Sequence, residues 1–420
     1  MKENTLVIVM VGLPARGKST IASRLKEDLR RDGIRTRIFN NGDLRRRLKR
    51  LDTSSPEFYD PQNREGTGIR EKIALTNIRR AERFLRNGGR IAILDATNVS
   101  RNRRKTIAAL LKDFALLFVE CINEDREILE ASIERKIALP EFAPMGRAEA
   151  LESFLRRIAY YETIYAPLSE ERNFVRLDSL YNRILEEEIS EPLPYYDRLR
   201  DLLVSDSVKN LYLVRHGETF FNLEDRIGGD SPLTPRGREQ AEALGAFFSN
   251  KRIPMIFTST KKRTIQTAEP IMRRQEHAAI IPLREFDEID SGDCECMSYG
   301  EIRNRMPEVY EARKRDKFNY VYPNGEGYVT MKTRIDRGIK KALYLSGNAD
   351  HIMIVGHRAV NRMILSHFLY RRQEDVPYIY IPQHKFYHIV ATQDRKQFRL
   401  RSFAPRKAVE IQPGAKPLTR

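Results

Sequence analysis

Residues 6–19 read Leu6-Val7-Ile8-Val9-Met10-Val11-Gly12-Leu13-Pro14-Ala15-Arg16-Gly17-Lys18-Ser19. The apolar run Leu6–Val11 is uninterrupted, as expected of a strand buried on both faces of a sheet. Gly12–Ser19 then matches G-x-x-x-x-G-K-[ST] at every fixed position, and a helical pattern predicted over Lys18–Asp32 follows. Strand, glycine loop and helix in that order are the context in which this pattern binds phosphate. The glycines let backbone N–H groups turn inward, and the helix N-terminus adds partial positive charge. Gly12, Pro14, Ala15, Arg16, Gly17, Lys18, Ser19 and Thr20 are therefore the candidate nucleotide-binding residues. Lys18 is placed to reach the β and γ phosphates and Ser19 to ligate Mg²⁺.

Outward from this loop, short apolar runs alternate with amphipathic stretches. Strands are predicted at Leu6–Val11, Arg35–Phe39, Ile91–Leu94, Leu116–Cys121 and Phe174–Leu177. Helices are predicted at Lys18–Asp32, Ile69–Asn87, Arg103–Asp113, Asp125–Lys136 and Ala148–Ala166. That alternation predicts an α/β domain, a parallel sheet wrapped on both faces. The strand Arg90–Asn98 ends in Asp95, where a carboxylate beside a phosphate loop can hold Mg²⁺ or orient an attacking hydroxyl. Thr97 and Arg101 lie just beyond, where an acceptor would bind. The segment Glu186–Ser207 is largely polar and carries Pro192 and Pro194, which places a domain boundary near Asp206.

A second α/β pattern begins after it. Apolar strands are predicted at Leu211–Val214, His351–Val355 and Tyr387–Ala391, with helices at Arg236–Ser249, Lys262–Arg273, Thr330–Leu345 and Ala359–Leu369. The first strand runs into Arg215-His216-Gly217-Glu218, and Asn222 follows. A later stretch reads Lys262-Arg263-Thr264-Ile265-Gln266-Thr267, and the strand ending in Val355 runs into Gly356-His357. These residues suit covalent phosphoryl transfer through imidazole. A neutral histidine attacks phosphorus, cations clamp the phosphoryl oxygens, and an acid protonates the leaving oxygen. His216 is the candidate nucleophile, Arg215, Arg263 and His357 the clamp, and Glu288 the candidate acid. The expected organisation is a first domain over 1–206, a second over 207–405, and a tail over 406–420 without fixed structure.

The formal net charge of +17 attracts polyanions. Nucleic acid and small multiply phosphorylated ligands both call for such charge. The chain carries neither the aromatic-and-basic signature of an RNA-recognition fold nor a zinc finger. Basic stretches such as Arg45–Lys49 and Arg101–Lys105 fit solvated helix faces as well as binding surfaces. Cys121, Cys294 and Cys296 make no disulfide framework and lack zinc-ligand spacing, which reads as a reducing, cytoplasmic setting. No run of about 18 apolar residues suits a membrane span, and Leu6–Val11 is too short for a signal-peptide core.

Taken together, MVGLPARGKST, LDATNVSRNRR, FLRRIAYYETIYAPL, LVRHGETFFN, RIGGDSPLT, KRTIQTAE, DEIDSG and YPNGEGY resemble the bifunctional 6-phosphofructo-2-kinase/fructose-2,6-bisphosphatase family, over about Leu6 to Leu400. The second half alone resembles the wider phosphoglycerate-mutase-like histidine phosphatases. The resemblance implies a three-layer P-loop kinase domain followed by an α/β histidine-phosphatase domain. It further implies phosphorylation of the 2-hydroxyl of fructose 6-phosphate by ATP with Mg²⁺, and removal of that 2-phosphate through a phosphohistidine at His216. By the same resemblance Ser19 and Asp95 hold the metal. Arg46, Arg70, Thr97, Arg101, Lys136, Arg157 and Tyr161 hold fructose 6-phosphate, Arg46 being flanked by Arg45 and Arg47. Arg215, Asn222, Arg263 and His357 match the 2-phosphate pocket. Tyr299, Arg313, Lys317, Tyr328 and Arg362 match the side that holds the sugar and its 6-phosphate. A cytoplasmic homodimer is implied, with small-molecule substrates and neither nucleic acid nor membrane as partner.

Three departures accompany the resemblance. Arg358 follows His357 where animal members usually carry glutamine, which adds a guanidinium to the substrate site. The first strand begins close to Met1, and the tail after Pro405 is short, so the phosphorylated extensions of some animal members are not expected. The alternative reading is a kinase–phosphatase fusion acting on nucleic-acid ends or another phosphorylated substrate. The D-x-D-x-[TV] motif usual for the phosphatase of such fusions is missing.

Overall fold

In the computed structural model of the chain, residues 4–47, 55–369 and 372–403 are described. The tail expected over 406–420 lies outside them. Packing divides the chain into two compact units. The first runs to Asp206 and includes Leu343–Asn348, and the second takes the remainder from Ser207.

The first unit is built on strands β1 (Leu6–Val11), β2 (Thr36–Asn40), β3 (Ile91–Asp95), β4 (Ala115–Ile122), β5 (Asn173–Asp178) and β6 (Arg183–Ile189), in the order β2-β3-β1-β4-β5-β6. All neighbours are parallel except β5 and β6. In β1, Leu6, Ile8 and Met10 pack with Leu25 and Leu29 of the helix Lys18–Arg31, while Val7, Val9 and Val11 pack with Ile78, Leu85 and Ile107 on the other face. Both sets are wholly buried, which is why the sequence there shows no alternation. The loops at the C-terminal ends of β1 and β3 therefore open side by side, with β1 and β3 adjacent and Leu6 registered on Ile91.

The segment expected to be a polar boundary contains regular structure. Its first residues complete β6, and Tyr196–Val204 forms a helix burying Leu199, Leu202 and Leu203 in the same core as β1. The polar composition of the segment has a physical origin. An edge strand is solvated along its length, so β6 carries three consecutive glutamates, and the helix after it turns only three leucines inward.

The second unit holds β7 (Val208–Arg215), β8 (Met255–Thr258), β9 (Ala279–Pro282), β10 (Ile352–Gly356), β11 (Lys385–Ala391) and β12 (Lys396–Ser402), in the order β12-β11-β7-β10-β8-β9. β7, β10, β8 and β9 are parallel, and β11 and β12 add an antiparallel edge. Tyr212, Val214, Met353, Val355 and Phe386 pack against Leu244, Phe248 and Ile271 of the helices Pro235–Phe248 and Lys262–Met272. The C-terminal ends of β7 and β10 are neighbours, with Arg215 registered on Gly356. His216 and His357 thus leave the sheet together. Among the described residues no helix is long and apolar enough to cross a membrane.

Candidate active site

The phosphate loop of the first unit is forced by two glycines. Gly12 has φ +135°, and a Cβ there would lie 2.6 Å from the Cys121 carbonyl oxygen. Gly17 has φ +83° and begins the helix Lys18–Arg31, which has neither a side-chain cap nor an acidic residue in its first turn. The first N–H groups of that helix are left for an anion. The Gly12 N–H donates to the Thr97 carbonyl at 2.9 Å, joining this loop to the one after β3.

Lys18 is buried, and its ammonium donates to the Leu13 carbonyl at 2.5 Å. Burial, helped by Lys136 and Arg157, lowers its pKa to about 8. Asp95 is also buried, at the end of β3. Its carboxylate accepts from Asn40 at 2.5 Å and from the Ser19 hydroxyl. Burial raises its pKa, while those hydrogen bonds and Lys18 oppose the rise. The hydroxyl of Ser19 beside a carboxylate, without further acidic groups, fits a hard cation that keeps most of its ligands as water and phosphate oxygen.

A cleft of about 1290 Å³ opens here. Pro14, Ala15, Arg16, Gly17, Lys18, Ser19 and Thr20 line one part, and Arg46, Arg70, Thr97, Lys136, Arg157 and Tyr161 line another, with Asp95 also on its wall. Gly12 shapes the loop from behind and is not on the wall. Arg157 lies 4.0 Å over the Tyr59 ring, and Arg70 donates to the Phe58 carbonyl.

One expected arginine lies off the cleft wall, and another has a more buried neighbour beside it on that wall. Arg101 does not line the cleft. Ser100 caps the helix Arg101–Leu110, and Arg101, at its first position, turns outward to pair with Glu170 at 2.9 Å with half its side chain exposed. Arg103, two residues on, is the one on the cleft wall, paired with Glu71. Beside Arg46, Arg45 also lines the cleft and is the more buried, at 5% exposure. Arg45 pairs with Glu141 and stacks 5.4 Å over Tyr59, and its Nε has no hydrogen-bond partner among the described residues. Burial and Arg157 push its pKa down to about 10. Arg46, also on the wall, pairs with Asp43 at 2.6 Å and lies 3.9 Å from Glu141. The sequence signal for Arg45 lay only in the phase of the short helix Asn41–Arg47.

In the second unit the His216 Nδ1–H donates to the Gly217 carbonyl at 2.7 Å. Because a carbonyl only accepts, the proton sits on Nδ1 and Nε2 carries the lone pair. Burial, then Arg263 and Arg215, hold His216 well below its usual pKa. His357 is its neighbour at 5.3 Å between ring centroids. The Arg263 Nε donates to His357 Nδ1 at 3.2 Å, so His357 donates through Nε2 to Ser259 Oγ at 2.8 Å. It too is held neutral, by burial and then Arg263.

Arg263 is fixed by the Gly229 carbonyl at 2.8 Å and Arg215 by the Ile381 carbonyl at 3.3 Å. The Arg215 Nε is buried without a partner among the described residues, and burial with Arg358 nearby lowers its pKa to about 9. Glu288 accepts from the Ile289 N–H at 3.1 Å and the Arg358 N–H at 3.2 Å, and its charge acts on both Arg215 and Arg263. Asn222 stands at the exposed rim, accepting from Gln383 at 2.8 Å.

A second group of cations adjoins this one. Lys317 is lowered to about 8 by burial and by Arg362, Arg313 and Arg358. Arg313 donates to the Tyr299 hydroxyl at 3.3 Å, and Arg362 to the Tyr328 hydroxyl at 3.0 Å. Among the described residues none of Arg313, Lys317, Arg358 or Arg362 has a carboxylate ion-pair partner. Cations gathered without counter-charge are suited to receiving an anion. Tyr322, over which Arg313 also packs at 5.8 Å, and Ser259, which orients His357, were not singled out from sequence. Tyr322 opens the stretch YPNGEGY and Ser259 stands three residues before Lys262-Arg263-Thr264, but the residue type at neither position marked it for a role.

Two family descriptions match the chain, 6-phosphofructo-2-kinase over residues 1–191 and histidine phosphatase superfamily (branch 1) over residues 211–403. Over 393 residues, or 90% of the chain, it is 37% identical to human 6-phosphofructo-2-kinase/fructose-2,6-bisphosphatase 4, covering 81% of that protein. It is 36% identical to rat 6-phosphofructo-2-kinase/fructose-2,6-bisphosphatase 3, again over 90% of this chain and over 68% of the relative. Among solved structures, the alpha-ribazole phosphatase from Shigella flexneri aligns with 46% of this chain and 95% of its own at 27% identity, TM-score 0.42.

Proposed function

The chain belongs to the bifunctional 6-phosphofructo-2-kinase/fructose-2,6-bisphosphatase family, and from that premise we propose that its two anion cradles carry the two opposed reactions. It is an enzyme with both a kinase and a phosphatase activity.

In the kinase reaction ATP with Mg²⁺ supplies the γ-phosphoryl group. Lys18 exchanges the Leu13 carbonyl for phosphate oxygens, and the loop amides and the uncapped helix bind the rest of the triphosphate. Ser19 and Asp95 would hold the Mg²⁺, which would offset negative charge on the transferring phosphoryl group. Asp95 also orients the sugar 2-hydroxyl and accepts its proton. Arg45, Arg70, Arg103 and Arg157 on the cleft wall suit a sugar phosphate. Removing Arg45 is expected to raise KM for fructose 6-phosphate about 10- to 100-fold, the scale of a charged hydrogen bond. Arg101→Ala is expected to change it little, since Arg101 turns outward. Steady-state kinetics of the two variants side by side check this.

In the phosphatase reaction Nε2 of His216 attacks the 2-phosphate, clamped by Arg215 and Arg263 and by His357 once Arg263 turns from its Nδ1 to the phosphoryl group and a proton is taken up there. Glu288 protonates the departing sugar oxygen, then takes a proton from the water that releases phosphate from the imidazole. Arg313, Lys317, Arg358 and Arg362 receive the 6-phosphate. The observation that carries the reading is the bare, neutral Nε2 of His216 inside a ring of guanidinium groups. The test is to incubate the protein with ATP, Mg²⁺ and fructose 6-phosphate, then separately with fructose 2,6-bisphosphate, and to identify the products. Failure to form either expected product removes the corresponding half of the reading.

Arg358 adds charge where the 6-phosphate would bind. Arg358→Gln is expected to weaken product inhibition by fructose 6-phosphate about 3- to 10-fold, in line with a partly exposed charge. Unchanged inhibition would mean that its guanidinium does not meet the phosphate.

A further inference from the structure

Glu288 lies in residues 287–291, which belong to no helix or strand. A carboxyl on such a segment has no ladder of backbone bonds to fix it, so its position must be set from outside. The helix Tyr328–Ser346 supplies the fixture. Arg334 Nη1 donates to the carbonyls of Glu285 and Asp287, both at 2.8 Å, and Nη2 donates to the carbonyl of Glu288 at 3.3 Å. Its Nε and Nη2 donate to the two carboxylate oxygens of Glu326 at 2.7 and 2.5 Å. A guanidinium has five N–H donors, and these five bonds use all of them.

Glu326 grips the far end of the same segment. Its N–H donates to the Asp290 carbonyl at 2.8 Å, and its carboxylate accepts the Asp290 N–H at 3.1 Å. The Asp287 carboxylate takes the Thr260 N–H at 2.7 Å and the Thr260 hydroxyl, which ties the segment to the loop that carries Ser259 and leads into the helix bearing Arg263. The planar fork of arginine meets carbonyls pointing in different directions, which a lysine ammonium cannot reproduce.

We propose that Arg334, locked by Glu326, is the positioning residue that holds the Glu288 carboxyl at the leaving oxygen. The inference rests on Glu288 being the acid. In that step the His216 Nε2–phosphorus bond forms and the bond from phosphorus to the sugar 2-oxygen breaks. The carboxyl proton of Glu288 passes to that oxygen. A misplaced Glu288 slows this step only where the departing oxygen needs a proton. A nitrophenolate leaves without one.

The experiment compares kcat/KM, which reports formation of the phosphohistidine, for fructose 2,6-bisphosphate and for 4-nitrophenyl phosphate. In Arg334→Ala the value for the sugar bisphosphate is expected to fall roughly 10- to 100-fold, the cost of displacing a catalytic group by about 1 Å. The value for the aryl ester is expected to hold. Arg334→Lys, which keeps the charge and is the safeguard should the alanine variant not fold, is expected to show the same selectivity. Glu326→Gln is expected to show it more weakly. An equal loss on both substrates, or no loss on either, overturns the proposal. Glu288→Gln run in parallel separates the two ideas. If it spares the sugar bisphosphate, Glu288 is not the acid and both fail. If it is selective and the Arg334 variants are not, only the positioning role fails.

Discussion

His216→Ala is expected to lower fructose 2,6-bisphosphate hydrolysis on the order of 10⁶-fold, the scale seen when a covalent nucleophile is deleted, while kinase turnover persists. The expectation follows from position as much as from chemistry. His216 leaves β7 beside Gly356, to whose carbonyl its own N–H donates at 3.0 Å, and its Nδ1 proton is committed to Gly217. The imidazole therefore has one orientation and one available nitrogen, and burial among guanidinium groups keeps it unprotonated at neutral pH. Asn or Gln at this position would fill space without supplying a nitrogen lone pair of that basicity. The measurement is rapid acid quench with substrate labelled in the 2-phosphate. Wild-type chains should retain acid-labile, base-stable label, and the alanine variant none. Label retained by the variant would assign the nucleophile elsewhere.

Lys18→Met is expected to reduce kinase kcat by about 10²- to 10³-fold, corresponding to about 3–4 kcal/mol of lost charge stabilisation in a water-poor site. Methionine nearly matches the length of lysine, so the loop and the packing around it are disturbed little. What is lost is a buried ammonium within reach of Asp95 and the loop. Phosphatase kinetics should be unaltered in the same preparation. Near-normal phosphorylation of fructose 6-phosphate by the variant would sink the phosphate-loop assignment.

The sequence disclosed the parts of these sites whose residue types have local backbone duties. Gly12 and Gly17 are dictated by positive φ, Lys18 follows from them, and β1 is a strand because every side chain in it is buried. His216 and His357 could be paired because each ends an apolar run. What stayed hidden depended on rotation or on distant carbonyls. Arg45, Arg46 and Arg47 are consecutive, and only the helix phase decides that Arg45 is the most buried of them. Arg101 and Arg103 lie in one helix capped by Ser100, and only its phase turns Arg101 outward and Arg103 to the cleft. β12 and β6 escaped because edge strands are solvated on both faces and read as polar loops. Arg334 had no signal at all, since its partners are mostly main-chain oxygens that any residues could have presented.

That one polypeptide continues through Asp206 into Ser207 has a consequence for control. The product of either reaction feeds the other, so unrestrained turnover at both ends would only consume ATP. Translation delivers the two catalysts in a fixed ratio of one to one, and changes in abundance scale both arms alike. The steady level of the sugar bisphosphate must then be set by substrate supply and by the rate constants of each end, and is insensitive to how much protein the cell makes.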